Sequence, residues 1–277
     1  MRTRVITALV ALCVLFPFLY FSGTIMLEIF VSVLATVSVY EMLNCAKLAK
    51  KWCISIPSYV LAYCVPYIIR HFGDRFPIFS LLGMILILYL FYLMVAAVFS
   101  HWKVSVTESA FTFMITVYVV FSFSCILLVR DLPFGQYIYL LIFMSAWMSD
   151  SGAYFAGRLF GRHKLIEDVS PKKTVEGAVG GVIICSLSFL LYGFIVGQIF
   201  DATPRYPALA LVGAILSVIS QCGDLIASLI KRQFGIKDYG WVFPGHGGVM
   251  DRFDSIIAIA PFLYLLSATS SFFQIFF

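Results

Sequence analysis

The sequence has little charge for its length. Only 12% of its 277 residues are Asp, Glu, Lys or Arg, whereas 62% are hydrophobic and the mean hydropathy is +0.99. Soluble domains have about a quarter charged residues and close to half apolar residues. The chain therefore lacks the polar side chains needed to cover a soluble monomer. The same composition excludes intrinsic disorder, a collagen helix and a coiled coil.

The sequence also lacks several motifs of cofactor-binding proteins. Its seven cysteines are odd in number, contain no C-x-x-C pair and lie mostly inside apolar runs, so we interpret them as small buried residues. This pattern excludes a disulfide-stapled secreted module and a cysteine zinc site. There is no GxxxxGK[ST] and no GxGxxG, which excludes a P-loop and a dinucleotide-binding fold. The net charge of +5 does not indicate nucleic acid, because the basic residues lie mainly in connecting segments.

Long hydrophobic runs are what the sequence has instead, and each is close to the roughly 20 residues that one membrane crossing requires. They predict an all-α, polytopic membrane protein with about nine transmembrane helices in a single domain, 1–277. The start, a basic segment followed by an apolar run, is similar to a signal peptide, but it lacks a small-x-small cleavage site, so we expect a retained first helix. The runs are residues 4–22, 24–44, 54–70, 77–99, 106–129, 136–157, 177–199, 207–230 and 254–275.

The distribution of basic residues predicts the orientation. If the N-terminus is cytoplasmic and nine helices alternate, 15 of the 19 Lys and Arg residues lie in inside segments and four lie outside. This asymmetry follows the positive-inside rule, and the opposite orientation would reverse it. The four outside residues are Arg70, Arg75, Arg130 and Arg205.

Polar residues other than Ser and Thr are concentrated in the second half of the chain. We therefore predict a helical scaffold over 1–135 and a catalytic part over 136–277, with two long cytoplasmic loops at 158–176 and 231–253. Glu28 and Glu41 lie toward the ends of the second predicted helix, where we interpret them as interfacial or locally paired residues. Pro57, among other prolines, is expected near a helix start, where its missing N–H costs least.

The eighth predicted helix carries one polar stripe on an otherwise apolar surface. At 100° per residue its five polar side chains fall within about 80° of one another. Asp224 lies seven residues before Lys231, about 10 Å into the membrane at 1.5 Å per residue. An ionised carboxylate facing lipid there is unfavourable, so Asp224 either forms a salt bridge to a neighbouring helix or belongs to a cation or substrate site. The stripe consists of Ser217, Gln221, Asp224, Ser228 and Lys231.

A glycine-rich segment precedes the last predicted helix. Its glycines, among them Gly247 and Gly248, permit unusual backbone angles and the approach of N–H groups to a ligand. Asp251 and Asp254 are three residues apart and share a helix face, where one of them is suited to N-capping. Oxygen ligands favour a hard cation such as Mg²⁺, and His246 without Cys or a second His argues against zinc.

A third cluster lies around the 158–176 loop. Asp150 is again an acid inside an apolar run, and the basic loop contains Lys172 and Lys173. These lysines either satisfy the positive-inside rule alone or attract phosphate. Gly177 and Gly181 are spaced for close helix packing. Together, the three clusters fit a divalent cation that holds a polyphosphate at the cytoplasmic face.

The segment from Ser228 to Asp254, SLIKR…KDYG…FPGHGGVMDRFD, resembles the signature of the phosphatidate cytidylyltransferase (CDP-diacylglycerol synthase) family. DSGAY at 150–154 and SPKKTVEG at 170–177 resemble that family too. The resemblance implies a nucleotidyltransferase that converts CTP and phosphatidate to CDP-diacylglycerol and pyrophosphate. It further implies Mg²⁺ dependence, an accompanying monovalent cation such as K⁺, a homodimer, and a cytoplasmic (inner) membrane location with the active site facing the cytoplasm.

The resemblance also implies roles for single residues. Asp224 and Asp251 are then the metal ligands and Asp254 a supporting carboxylate. His246 is a candidate donor to the leaving group. The expected substrate-binding residues are Lys231, Arg232, Lys237, Arg252, Ser228, Gly247, Gly248, Lys172, Lys173 and Asp150. Two alternatives stay open at this point: a CTP-dependent polyprenol kinase, and an ion-coupled transporter, since intramembrane acids often mark ion paths.

Overall fold

The computed structural model describes residues 13, 16–72, 78–200, 203–243, 245 and 247–268. Most of the first predicted helix, the end of the last one, and His246 lie outside the described residues. The described part is nearly all helical, as predicted, with one short β-hairpin. Its elements are α1 (Ile25–Cys45), α2 (Trp52–Phe72), α3 (Ile78–Phe99), α4 (Val106–Asp131), α5 (Gly135–Ile138), α6 (Leu140–Phe160), β1 (Lys164–Ile166), β2 (Ser170–Thr174), α7 (Val175–Phe200), α8 (Tyr206–Gln233) and α9 (Met250–Ala268).

Six of the described helices are long and apolar enough to cross a bilayer: α1, α2, α3, α4, α7 and α8. The clearest case is α3, whose Ile87, Leu88 and Phe91 side chains are each at least 60% exposed. Large apolar side chains that protrude from one helix in this number require an apolar environment. The chain is therefore a membrane protein.

The chain divides into two compact units. The first comprises Met1–Leu128 with Phe234–Arg252, and the second comprises Val129–Gln233 with Phe253–Phe277. In the first unit, Thr24 caps α1 by accepting the backbone N–H of Met26 at 3.3 Å. The prediction of one membrane domain with a scaffold part and a catalytic part stays a prediction.

Hydroxyl groups connect three consecutive helices of the first unit. The Tyr89 hydroxyl on α3 lies 2.7 Å from the Ser58 hydroxyl on α2 and donates to Thr116 on α4 at 3.1 Å. All three side chains are buried. Where water is absent, such bonds replace the partners that polar groups otherwise lack, and here they connect three consecutive helices.

Pro57 lies inside a helix rather than at its start, because α2 begins at Trp52. The prediction for this proline was therefore wrong. A proline at this position cannot donate to the carbonyl four residues earlier, which belongs to Cys53. The hydroxyl of Tyr92 donates to that carbonyl at 2.7 Å instead. The lost helix bond is thus replaced by a side chain from α3.

In the second unit, α6 and α7 approach each other through small residues. A methyl group added at Gly180 would overlap with the Cβ atom of Ala156, and one at Gly181 would lie 2.9 Å from the carbonyl oxygen of Ser149. At Gly177 it would lie 2.8 Å from the carbonyl oxygen of Ala153. The prediction that Gly177 and Gly181 serve close helix packing is confirmed.

The polar loops contain more regular structure than predicted. Within 158–176, β1 and β2 form an antiparallel hairpin that pairs Lys164 with Thr174 and Ile166 with Ser170. The predicted loop 231–253 is shorter, because α8 continues to Gln233 and α9 begins at Met250. The predicted helix 136–157 is interrupted, since the short α5 ends before Tyr139 and α6 follows it. Hydropathy predicted where these elements lie. It did not predict their exact ends, because polar residues extend some of the helices beyond the apolar runs.

Candidate active site

Asp224 lies on α8 and forms an ion pair with Lys173. Its Oδ2 atom is 2.6 Å from the Nζ atom of Lys173 on β2, and about a quarter of each side chain is exposed. Two other stripe residues, Ser217 and Gln221, bond to neighbouring helices. Ser217 lies 2.8 Å from the hydroxyl of Ser149 on α6, and Gln221 donates to the carbonyl of Ala178 on α7 at 3.1 Å. The carboxylate of Asp224 contacts the hairpin through Lys173, whose Nζ atom also donates to the backbone carbonyl of Gln221 at 3.4 Å.

A cavity of about 360 Å³ adjoins this ion pair in the second unit. Its wall carries the cationic groups Arg158, Lys172 and Lys173 together with the carboxylates Asp150 and Asp224. A triphosphate requires several cationic partners, and a carboxylate in the same cavity suits a bridging metal ion. The structure therefore brings Asp150, Lys172, Lys173 and Asp224 together, as the sequence predicted.

Two cavity residues were missed by the sequence analysis. Arg158 and Tyr154 line the cavity on α6, where Arg158 Nη1 donates to the Tyr154 hydroxyl at 3.2 Å. Both follow Asp150 at intervals of four residues, which places them on one helix face. That spacing is visible in the sequence, but Arg158 was assigned only to the basic loop.

The hairpin is anchored at both ends. Glu176 accepts the backbone N–H of Arg162 at 3.1 Å and lies 2.6 Å from Nδ1 of His163. Thr174 accepts the N–H of Gly177 at 3.1 Å and so caps α7. Methyl groups at Gly157, Gly161 and Gly177 would each lie 2.9 Å from the Thr174 hydroxyl. The hairpin is therefore packed closely against α6 and α7, and this packing fixes the backbone positions of Lys172 and Lys173.

Asp254 is buried, with 8% of its surface exposed, and accepts the N–H of Ser255 at 2.7 Å. It interacts electrostatically with Asp224 and Asp150, which repel it, and with Lys231, which attracts it. Asp150 and Asp224 therefore lie close enough to Asp254 for their charges to repel it, and a bound cation would reduce this repulsion. Among the described residues, no three or more His, Cys, Asp or Glu side chains have the arrangement of a metal site.

Asp251 is the second residue of α9, in the first unit. Its Oδ2 atom accepts two backbone N–H groups of the preceding segment, from Tyr239 at 2.7 Å and Gly248 at 2.9 Å. Gly247 has a φ of +87°, and a methyl group there would lie 2.6 Å from this oxygen. Asp251 thus organises the loop before its own helix.

Glu41, near the end of α1, also binds this loop. It is 2% exposed and accepts the N–H of Val249 at 3.0 Å and that of Met250 at 2.8 Å. Methyl groups at Gly240 and Gly248 would overlap with its carboxylate. The interpretation of Glu41 as interfacial or locally paired was therefore wrong. Its partners are about two hundred residues away in sequence, a relation that helical periodicity does not reveal.

The close packing of this loop thus explains why glycines occupy these positions. The N–H of Gly248 is directed at Asp251, and the space beside it is taken by Glu41. Their predicted contact with substrate stays a prediction. Glu28 is paired with side chains at the end of α2 rather than locally in sequence: its two oxygens lie 2.9 Å from Arg70 Nη1 and 3.0 Å from His71 Nε2.

The other predicted residues lie at the ends of elements. Arg232, in the last turn of α8, places its Nε atom 3.4 Å from the carbonyl of Val169. Lys237 and Arg252 are exposed, and Ser228 and Lys231 are half-buried on α8. His246 lies outside the described residues.

Comparison with known proteins decides the family. The sequence profile of the cytidylyltransferase family matches residues 2–270. The phosphatidate cytidylyltransferase of Staphylococcus haemolyticus is 35% identical over 96% of this chain and 98% of its own length. Those of Staphylococcus saprophyticus and Staphylococcus aureus are 38% and 34% identical over the same shares. This chain belongs to the cytidylyltransferase family.

Membership in the cytidylyltransferase family confirms the resemblance found in the motifs and makes the chain a nucleotidyltransferase. The residues present are compatible with a bound divalent cation. Asp224 already faces the ammonium group of Lys173, and its carboxylate lines a cavity with room for phosphate groups. Asp251 differs, because one of its oxygens accepts two loop N–H groups. Its role as a metal ligand stays a prediction.

Proposed function

We propose that this chain is a phosphatidate cytidylyltransferase, which converts CTP and phosphatidate to CDP-diacylglycerol and pyrophosphate. The observation that carries the proposal is the cavity in which three cationic side chains and two carboxylates meet. A family profile that covers nearly the whole chain and relatives of that name support it. A lipid substrate is consistent with a chain that has many apolar helices. The negative charge of CTP is complementary to the basic residues of the hairpin.

The chemistry requires alignment and charge neutralisation. A phosphate monoester has its second pKa near 6 and is largely dianionic at pH 7, so a phosphatidate oxygen attacks the α-phosphorus of CTP without a general base, and pyrophosphate leaves. Arg158, Lys172 and Lys173 orient the triphosphate and offset the repulsion between the two anions. Lys231, Arg232, Lys237 and Arg252 are the further phosphate-binding candidates.

A magnesium ion is part of the proposal. When bound, it polarises phosphate oxygens and neutralises developing charge. Asp224 would hold it, and Lys173 would then bind the triphosphate. The assignments of Asp251 as second ligand, of Asp254 as supporting carboxylate and of a monovalent cation such as K⁺ belong to the same proposal. Activity titrations with Mg²⁺ and K⁺ test them.

Labelled product distinguishes the proposed reaction from its alternatives. Purified protein is incubated with phosphatidate, Mg²⁺ and CTP labelled at either the α- or the γ-phosphorus. A cytidylyltransferase transfers only the α-label to the lipid and releases pyrophosphate. A γ-labelled product, with phosphatidate or with a polyprenol, would identify a kinase instead. Absence of any nucleotide turnover would favour a transporter.

The proposed topology is nine transmembrane helices with a cytoplasmic N-terminus, in the cytoplasmic (inner) membrane, with the active site facing the cytoplasm. The positive-inside asymmetry of the basic residues supports it. Single cysteines test it in a cysteine-free background. Asp168→Cys should be labelled by a membrane-impermeant maleimide only after the cells are opened, and Arg205→Cys in intact spheroplasts. A homodimer is proposed as well, and crosslinking in membranes tests it.

A further inference from the structure

The loop before α9 is held by carboxylates of the chain itself. We call the described residues among 239–250, the last of which begins α9, the α9 loop. Four of its backbone N–H groups donate to two buried acids: those of Tyr239 and Gly248 to Asp251, and those of Val249 and Met250 to Glu41. Glu41 reaches the loop from a different helix. Its contacts therefore determine where the loop, and with it the first turn of α9, lies relative to α1.

We infer that Glu41 is a positioning residue for the transfer reaction, which acts by fixing the α9 loop and the start of the helix that carries Asp251. The inference rests on the proposed function. Glu41 accepts the N–H groups of Val249, just before α9, and of Met250, its first residue, where the helix dipole favours negative charge. Its carboxylate and that of Asp251 together set the backbone on both sides of Gly248.

Close packing strengthens this inference. Gly240 and Gly248 both lie so near the Glu41 carboxylate that a single methyl group on either one would overlap with it. Buried acids usually need a cation or several N–H donors, and among the described contacts the donors to Glu41 come from the α9 loop. The side chain and the two glycines therefore form one fitted unit, in which a change on either side displaces the other.

The same helix supplies a matched control. Glu28 lies on α1, is 4% exposed compared with 2% for Glu41, and is paired with Arg70 and His71. Glu28→Gln and Glu41→Gln therefore make the same chemical change, at similar burial, in one helix. Only Glu41→Gln presents an NH₂ donor to a loop N–H and leaves that group without an acceptor.

The first measurement is hydrogen exchange of the full-length protein in detergent. In Glu41→Gln, peptides that cover the α9 loop should exchange roughly tenfold faster than in the unsubstituted protein, because a buried N–H has lost a charged acceptor. In Glu28→Gln the same peptides should keep their exchange rate. Equal rates in all three proteins would overturn the inference, whether or not the protein transfers cytidylyl groups.

The second measurement is steady-state kinetics with phosphatidate and CTP. A displaced catalytic group lowers kcat by roughly 10- to 100-fold while substrate contacts elsewhere persist. We expect this loss in Glu41→Gln, with KM for CTP changed less than about twofold, and near-normal kcat in Glu28→Gln. Equal losses in the two variants would indicate a general structural role and overturn the inference. An inactive unsubstituted protein would instead refute the proposed function and leave the exchange result valid.

A double-mutant cycle tests the contact directly, and Gly248→Ala alone, in which Glu41 is retained, serves if the Glu41 variants do not fold. Gly248→Ala should lower kcat strongly when Glu41 is present, because its methyl group displaces the carboxylate. In a Glu41→Ala background the methyl group has room, so Gly248→Ala should cause little further loss. Such non-additivity is expected only for residues in contact. Additive losses would overturn the inference.

Discussion

The ion pair of Asp224 and Lys173 allows its structural and functional roles to be separated. The sequence left open whether Asp224 serves a salt bridge or a cation and substrate site, and the structure contains both a salt bridge and a cavity. Asp224→Asn keeps the shape of the side chain and removes its charge. Lys173→Met keeps most of the apolar stem and removes the ammonium group.

The expected effect on stability is small. About a quarter of each side chain is exposed, and partly exposed ion pairs contribute about 0.2–1 kcal/mol. For a protein of this size, 1 kcal/mol corresponds to a change in Tm of about 2–4 °C. The expected effect on activity is much larger, since loss of a group that stabilises developing charge costs about 100- to 1,000-fold in kcat. Lys173→Met should lower kcat/KM for CTP by about tenfold or more.

A second ion pair provides the control. Lys51 and Glu108 are also 2.6 Å apart, with side-chain exposures of 31% and 30%, in the first unit. Lys51→Met and Glu108→Gln should therefore lower Tm by a similar small amount and leave kcat unchanged. The assays are thermal unfolding in detergent and transfer of α-labelled CTP. If Asp224→Asn lost stability and activity in proportion, or kept normal turnover at saturating Mg²⁺, Asp224 would be a structural residue only.

Three further predictions concern the frame of the cavity. Gly180→Ala should destabilise the protein by about 1–3 kcal/mol through overlap with Ala156; Ala156→Gly in the same chain should restore Tm, and failure to do so would place the strain elsewhere. Thr174→Val should cost about 1 kcal/mol by removing the cap of α7, whereas Thr174→Ser should cost less; equal losses would contradict the capping role. Lys172→Ala should raise KM for CTP, and added salt should reduce the difference from the unsubstituted enzyme; the same rise in the exposed control Lys50→Ala would indicate a general effect of charge.

The helices were predictable because a bilayer requires long apolar runs, and the close packing at Gly177 and Gly181 followed from their spacing. The hairpin at 164–174 was not, because its polar residues follow no hydrophobic period. The group of Asp150, Asp224, Lys172 and Lys173 was predicted from intramembrane acids and a basic loop. Arg158 could have been predicted as a cavity residue from its spacing to Asp150.

Glu41 was not predictable by the same means. An acid inside an apolar helix must find partners, but local sequence does not indicate which segment supplies them. Its donors are backbone N–H groups, which every residue other than proline carries, so no side-chain type near position 249 signals the contact. The glycines at 240 and 248 were noticed, but they were interpreted as space for a ligand rather than for a carboxylate of the chain itself.

The separation in sequence between Glu41 and its hydrogen-bond donors also affects the synthesis and membrane insertion of the protein. The acid is synthesised about two hundred residues before Val249 and Met250. At translation rates of about 5–20 residues per second, roughly 10 to 40 s elapse before those amides exist. During this interval the nascent chain must insert α1 with an acid whose final hydrogen-bond donors have not yet been synthesised. Water, lipid headgroups or the insertion machinery must accommodate it until the last helix arrives.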